Sequence, residues 1–173
     1  LKPSWLKVAQ LWPTPATEPP SRSSAQAAAA MSSSYEAAKK ALESGDMDTA
    51  LAKASEAVSS FKSSGDTEGM EKAMKPLVAA SIATDKTEEA KSKVKELLAY
   101  FKDNNQKASQ AGMLILQGEL SCAEKDPEAA LDLVSVIEGL VTGSGAKEQD
   151  LSQALLSLQV NANLLKGDAS AAM

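Results

Sequence analysis

The side chains that can do chemistry in this sequence are lysines and carboxylates, because the chain has no histidine and only one cysteine. Without histidine, the usual proton shuttles, metal sites and catalytic triads lack their imidazole. Cys122 stands among apolar residues of a predicted helix, which indicates a buried, unreactive thiol. The carboxylate pairs Glu88-Glu89 and Glu124 with Asp126 fall at predicted helix ends, where they complement the helix dipole. We therefore expect no enzyme, no metal site and no cofactor.

Loop composition and charge argue against two further classes of site. Neither Glu68-Gly69 nor Gly143-Ser144-Gly145 has the Lys-Ser/Thr pair of a phosphate-binding loop. The net charge is −5, and Arg22 is the only arginine. Residues 34–173 hold 15 lysines against 22 acids, so this part of the chain is net −7 and lacks the basic face of a nucleic-acid binder. No run of 18 apolar residues occurs, so we expect no membrane span.

A turn motif recurs along the chain and sets the positions of these residues. Gly45-Asp46 is followed by an acidic residue and then by Ala50, an order that is typical of a turn opening a helix. Related stretches occur at Asp85–Ala90, Lys125–Leu131 and Gly167–Ala172. A spacing near 40 residues predicts an array of repeated units.

The repeat continues through the predicted helices. Apolar residues that lie about 40 apart recur at intervals of four, three and four, which puts them on one helix face. A glycine or asparagine stands where each second helix should stop. The aligned sets are Ala50, Ala90 and Ala130; Ala54, Val94 and Val134; Ala57, Leu97 and Ile137; Phe61, Phe101 and Val141; and Gly65, Asn105 and Gly145. We therefore predict an all-α domain over residues 34–173.

Seven helices are predicted from this pattern. The first begins near Ser34. The third contains Pro76, so we expect it to bend at Lys72, with a later start of this helix as the alternative. The fifth, about 106–124, is apolar on all sides and belongs in the middle of the array. The sixth runs from Pro127 through Val141. The remaining spans are about 47–63, 67–83, 87–102 and 151–166.

The turns resemble those of the tetratricopeptide repeat family. The likeness rests on Gly45-Asp46 with Ala50, on Gly167-Asp168 with Ala172, and on Gly118 as the small residue of a first helix. It implies a right-handed solenoid of antiparallel helix hairpins, with about three and a half units. The period is about 40 rather than 34 residues, and most first helices lack the family's early aromatic residue. Helical-hairpin solenoids of other families are the alternative.

The resemblance also implies a concave groove, lined by the first helix of each unit, that holds a partner segment. Lys72 and Lys75 lie three residues apart, near Lys39 of the preceding unit, so together they can attract an acidic peptide. Ala79 stands where the family's carboxylate clamp has an asparagine, and solvated lysines on an exposed face are the alternative interpretation. The implied groove residues are Tyr35, Lys39, Lys72, Lys75, Ala79, Ile115, Glu119, Ser157, Asn161 and Leu164.

Residues 1–33 are predicted to be a disordered tail, a linker or a targeting remnant. Five of the seven prolines lie there, and proline at this density prevents a long helix. Trp5 and Trp12 belong to a short apolar patch, which indicates either a docking peptide or an ordinary tail. Met31 is an alternative start of the chain. We expect an intracellular, reducing compartment, cytoplasmic or, if residues 1–30 are a targeting remnant, organellar.

Two functional classes are consistent with these patterns. The first is a protein–protein interaction scaffold, a structural or assembly subunit of a larger complex. No polar capping element is visible after Gly167, so either the sequence is a fragment or the open end at Leu164 and Leu165 packs on a partner. The alternative is a peptide-binding module that recognises an acidic segment through the groove.

Overall fold

The computed structural model describes residues 22–142 and 144–167, and helices account for nearly all of them. No strand occurs in these residues, which confirms the predicted all-α fold. The helices are α1 (Arg22–Ser44), α2 (Met47–Ser64), α3 (Thr67–Ala83), α4 (Thr87–Asp103), α5 (Lys107–Ala123), α6 (Pro127–Asp132), α7 (Val134–Val141) and α8 (Glu148–Lys166), with a short 3-10 turn at Gly145–Lys147.

The turns between helices share one backbone geometry. A residue in the left-handed region stands in each turn, and the first six such residues are 20 positions apart. They are Gly45, Gly65, Asp85, Asn105, Lys125 and Gly145, and Gly167 follows after 22 residues. The structural unit is therefore one helix with its turn, and two such units make the predicted period of about 40.

Hydrogen bonds in the first five turns follow the same pattern. At Gly65, for example, the N–H donates to the Lys62 carbonyl at 3.2 Å, and the next N–H, of Asp66, donates to the Phe61 carbonyl at 3.0 Å. These two bonds define the Schellman motif, which satisfies the last carbonyls of a helix. They also reverse the chain direction at the same point of each unit.

Aspartates in three of these turns cap the helix that follows. The carboxylates of Asp46, Asp66 and Asp126 accept hydrogen bonds from the N–H groups three residues further on, at 3.1, 2.9 and 3.0 Å. Such caps satisfy one of the free N–H groups at a helix start. Lys86 and Gln106 hold the same position without a side-chain cap bond.

Consecutive helices pack against each other along the chain. In addition, α1 contacts α3, α3 contacts α5, and α5 contacts α8. These four helices form a continuous row, which we call the first-helix row. The handedness of the array and its division into hairpins are not determined by these contacts and stay predictions.

The core divides into two hydrophobic clusters that meet at α5. Met113 and Leu120 belong to the cluster formed with α1 to α4. Ala111 and Ile115 belong to the cluster formed with α6, α7 and α8. An apolar surface on several sides of α5 was the basis for placing this helix in the middle of the array, and the two clusters confirm that placement.

The aligned small and apolar positions are buried as the repeat predicts. Ala50, Ala90 and Ala130 are each 0 % exposed, and every other aligned apolar residue is buried except Val134, which is half-buried. Gly118 is also a point of close approach, because an added Cβ would lie 2.5 Å from Cδ2 of Leu158 on α8.

Two helix boundaries differ from the prediction. Helix α1 begins at Arg22 rather than near Ser34, because residues 22–33 contain no proline and include the helix-favouring run Ala27–Ala30. The predicted helix from Pro127 to Val141 is interrupted at Leu133, whose backbone remains in the right-handed helical region. Nothing in the local sequence explains this interruption.

We predict that Gly118→Ala lowers the free energy of unfolding by about 1–2 kcal/mol, because the new methyl group overpacks against buried Leu158. Gly139→Ala on α7 is the matched control, since nothing lies within 4 Å of an added Cβ there. The control should gain about 0.5–1 kcal/mol from reduced backbone entropy in the unfolded chain. Urea denaturation measures both values. Equal stabilisation by the two substitutions would show that α5 and α8 are not closely packed at Gly118.

Candidate functional site

The turns give a common register to the four helices of the first-helix row. Three residues before the left-handed residue, each helix carries an apolar side chain that is not fully buried. These side chains are Leu42, Ile82, Cys122 and Leu164. One apolar position therefore recurs on α1, α3, α5 and α8, near the end of each helix.

A shallow groove of about 570 Å³ lies at three of these positions. Its walls come from the C-terminal parts of α3, α5 and α8. The lining residues are Ile82, Glu119, Cys122, Ala123, Leu158, Asn161, Leu164 and Leu165. The surface of the groove is mainly apolar, with one carboxylate and one amide.

Large apolar side chains are exposed around this groove. Ile82, Leu164 and Leu165 are 38, 57 and 52 % exposed, and they are three of the five exposed large hydrophobic residues among the described residues. Contiguous exposed apolar surface on a protein of this size is characteristic of an interaction site. The groove is therefore the candidate functional site.

Several of the predicted groove residues lie in or beside this site. Glu119, Asn161 and Leu164 line the groove itself. Ala79 and Ser157 are exposed on α3 and α8 but are not part of the lining. Three of the residues assigned to a partner groove therefore line this groove, and their contact with a partner stays a prediction.

Ile115 does not present its side chain to a partner. It is 4 % exposed and packs in the cluster of α5 to α8. A face of α5 that the resemblance assigned to the groove is covered instead by neighbouring helices. Trp5 and Trp12, the predicted docking residues, lie outside the described residues.

The predicted lysines lie on α1 and α3 of the row, and one of them, Lys75, interacts electrostatically with Glu119 of the groove. Lys72 pairs with Glu68 on its own helix at 2.7 Å, and this hydrogen bond raises the lysine pKa. Lys39 lies 3.9 Å from Glu36 and 5.9 Å from the centroid of the Tyr35 ring. Two of the three lysines therefore already have an acidic neighbour, which a partner's carboxylate would have to replace.

Lys75 and Glu119 connect the lysines to the groove electrostatically. Although the Glu119 side chain is solvent accessible, its carboxyl lies beside apolar groove residues, and this partial burial raises its pKa. The positive charge of Lys75 acts in the opposite direction and lowers the pKa of the same carboxyl. The pKa of the Cys122 thiol is raised by burial and then by the negative charge of Glu119.

Cys122, Ile82 and Leu165 were not predicted as groove residues. Cys122 was expected to be buried, but it is half-buried and lines the groove. The recurrence of an apolar residue at Leu42, Ile82, Cys122 and Leu164 was visible in the sequence as a signal. This recurrence predicts a groove only if the side chains at this position are known to face outward.

A second apolar surface lies at the other side of α8. Leu156 is 60 % exposed and Val136 on α7 is 52 % exposed. Leu156 lies 11 residues before the left-handed Gly167. On α3 and α5 the residues at the same distance before the left-handed residue are Met74 and Leu114, which are 0 and 7 % exposed. Leu156 and Val141 line a shallow depression between α7 and α8, and we call the surface around Leu156 the end face. Leu164 and Leu165, which were predicted to pack on a partner at the end of the array, are exposed and also line the groove; their contact with a partner stays a prediction.

Within residues 22–142 and 144–167, no group of three or more metal-ligating side chains occurs. No described helix is long and apolar enough to cross a membrane. Comparisons with protein-family models, with curated proteins and with solved structures found no match to this chain. The resemblance to tetratricopeptide repeats therefore stays a prediction from the sequence.

Replacing Glu119 by glutamine is expected to raise the melting temperature at pH 7. The folded state holds this carboxyl at a raised pKa, so ionisation costs more in the folded than in the unfolded chain, and stability falls as the pH rises through this range. The advantage of Glu119→Gln should therefore disappear below about pH 4, where both states are protonated.

Glu89→Gln is the control and should lower the melting temperature at pH 7, because Glu89 lies in the first turn of α4, where a negative charge stabilises the helix. Thermal melts at pH 7 and pH 3.5 check both signs; a lower melting temperature for Glu119→Gln at pH 7 would refute the account.

Proposed function

We propose that this protein is a non-enzymatic protein–protein interaction scaffold, a structural or assembly subunit that holds a partner segment in the groove of its first-helix row. The observation that carries the proposal is the row of partly exposed apolar residues at one register position, with the groove between Ile82, Cys122 and Leu164. In this proposal the helices form a right-handed solenoid of about three and a half tetratricopeptide-like hairpins, and the row is its concave side.

The groove favours an apolar anchor from another protein. Its volume of about 570 Å³ is sufficient for one or two large side chains but is open and shallow, unlike the enclosed cavities that bury most of a small ligand. Aromatic or long aliphatic anchors in such depressions supply most of the binding energy of protein interfaces. Asn161 and Glu119 at its margin can orient a partner backbone or a donor group.

The lysines next to the groove favour acidic residues on the partner, which is the peptide-binding form of the proposal. Lys72 and Lys75 are exposed on α3, and the exposed pair of Lys72 with Glu68 is worth only about 0–1 kcal/mol. A carboxylate of the partner can therefore compete for Lys72 at small cost. The preferred ligand is a segment with large apolar anchors and acidic residues on one side of them.

The end face supports a second candidate, in which the protein is held in a larger complex through the surface around Leu156. Every counterpart of Leu156 in the first-helix row is buried. Exposure of a leucine at a position that is elsewhere covered indicates a surface for another helix. This candidate does not require the groove.

The test is affinity capture with the full chain from native extract, followed by quantitative mass spectrometry. The groove variant combines Ile82→Glu and Leu164→Glu, and Leu156→Glu is the matched control on the end face. We expect the groove variant to lose the main partner by tenfold or more, while the control retains it. Capture of the same proteins by the groove variant as by the wild type contradicts the proposal, and loss only with Leu156→Glu favours the end face.

The lysine contribution is tested with the partner that this capture identifies. Lys72→Glu with Lys75→Glu should weaken binding about tenfold, and raising the salt concentration should reduce that difference because exposed charges are screened. Circular dichroism should show unchanged helix content. An unchanged affinity would mean that the partner does not contact the lysines of α3.

A further inference from the structure

The groove on the first-helix row has no covering element among the described residues, yet it presents three exposed large apolar side chains to solvent. A free protein normally reduces such exposure by covering it. The described aromatic residues are not available for this purpose, because Phe61 and Phe101 are buried and both tyrosines pack against the core.

Both tryptophans of the chain stand close together near its beginning, at Trp5 and Trp12. Leu6, Val8 and Leu11 lie between them, so five of these eight residues are large and apolar. This is the only stretch outside the described helices with several large apolar side chains. Its size and composition match a shallow groove that accommodates one or two large anchors.

Charge favours the same pairing. Residues 1–21 contain Lys2 and Lys7 and only one acid, Glu18. The groove contains Glu119, and residues 34–173 are net −7. Glu119 is the only charged residue that lines the groove, and the lysines of α3 lie outside the lining, so Lys7 of the segment can pair with Glu119.

The chain is long enough for this contact. Between Trp5 and Arg22 an extended chain spans up to about 60 Å. The distance to be spanned has two components. Along the helix axis it is at most the length of α1, which has 23 residues and is about 35 Å long. Across the row, the three spacings from α1 to α8 add about 30 Å perpendicular to that axis. The largest distance from the start of α1 to the groove is therefore about 45 Å, which is less than the roughly 60 Å that the extended chain spans, so Trp5 can reach the groove. Trp12, with an upper limit of about 35 Å, reaches only the nearer part of the row.

We propose that the N-terminal part of the Trp5–Trp12 segment of the same chain occupies the groove in the absence of a partner, with Trp5 as the anchor between Ile82, Cys122 and Leu164. The tether makes the contact intramolecular, so occupancy of the groove does not depend on the protein concentration. A partner then has to displace this segment. The proposal goes beyond the proposed function, because it concerns the free protein and does not require a partner to be identified.

The first experiment uses Trp5 as its own reporter. In the Trp12→Phe protein, Trp5 is the only tryptophan, and we expect blue-shifted emission that is protected from iodide quenching. Adding Leu164→Glu should shift the emission to that of indole in water. Adding Leu156→Glu on the end face instead is the matched control and should leave the emission unchanged.

The second experiment uses Cys122, the only cysteine of the chain, and leaves the helices unaltered. The rate of its modification by a small thiol reagent should increase about fivefold or more in Trp5→Ser and much less in Trp12→Ser. Both observables should be independent of protein concentration, because the contact is intramolecular.

Water-like emission of Trp5 in the Trp12→Phe protein, or equal Cys122 modification rates in wild type and Trp5→Ser, would overturn the proposal. Protection that disappears on dilution would also overturn it, since the segment would then come from a second copy. None of these results would affect the capture experiment with the groove variant, so the two proposals fail separately.

Discussion

A left-handed backbone residue after each helix is the constraint on which the rest of this structure depends. Six such residues follow one another at intervals of 20, from Gly45 to Gly145. At the first five of these residues, the two hydrogen bonds of a Schellman motif end the helix at an equivalent position. The next helix begins two residues after the left-handed residue. Equal unit lengths keep the helix faces in phase, so the same positions face the core in successive units. Residues at intervals of 20 show this: Ala50, Met70, Ala90 and Ala130 are 0 % exposed, and Gln110, the member between the last two, is half-buried.

The same phase relation produces the groove. Because α1, α3, α5 and α8 share a register, one partly exposed apolar residue per helix becomes a row of such residues across four helices. Ion pairs between units repeat as well. Lys86 pairs with Asp48 at 2.6 Å. The residues 80 positions after these two, Lys166 and Glu128, also form a pair, at 3.4 Å. Side chains that bridge units at equivalent points support the repeated packing, although exposed pairs of this kind add little stability individually. The groove therefore crosses three helices of the row and does not belong to a single unit.

Much of this fold could be predicted from the sequence, because the signals are local. Gly65, Asn105 and Gly145 mark turns through backbone preferences that act within a few residues, and α3 begins and ends at the predicted Thr67 and Ala83. The errors arose where contacts between helices decide the outcome. Ile115 has the same local character as other outward positions, but α5 is covered on more than one side and buries it. Cys122 was assigned to the core from its apolar neighbours, whereas its exposure depends on the gap between α3, α5 and α8. The early start of α1 was missed because nearby prolines outweighed the helix preference of Ala27–Ala30.

The most direct test of the turn constraint compares a glycine with a non-glycine at equivalent turns. Gly65 has φ +72° and nothing within 4 Å of an added Cβ, so Gly65→Ala changes the backbone preference alone. Lys125 occupies the same position at φ +64°, where an L side chain is strained by about 1 kcal/mol. Urea denaturation should show that Gly65→Ala lowers the free energy of unfolding by about 1 kcal/mol and that Lys125→Gly raises it by about 0.5–1 kcal/mol. A neutral Gly65→Ala together with a destabilising Lys125→Gly would contradict the account, because glycine would then act as it does inside a helix rather than as the residue that ends one.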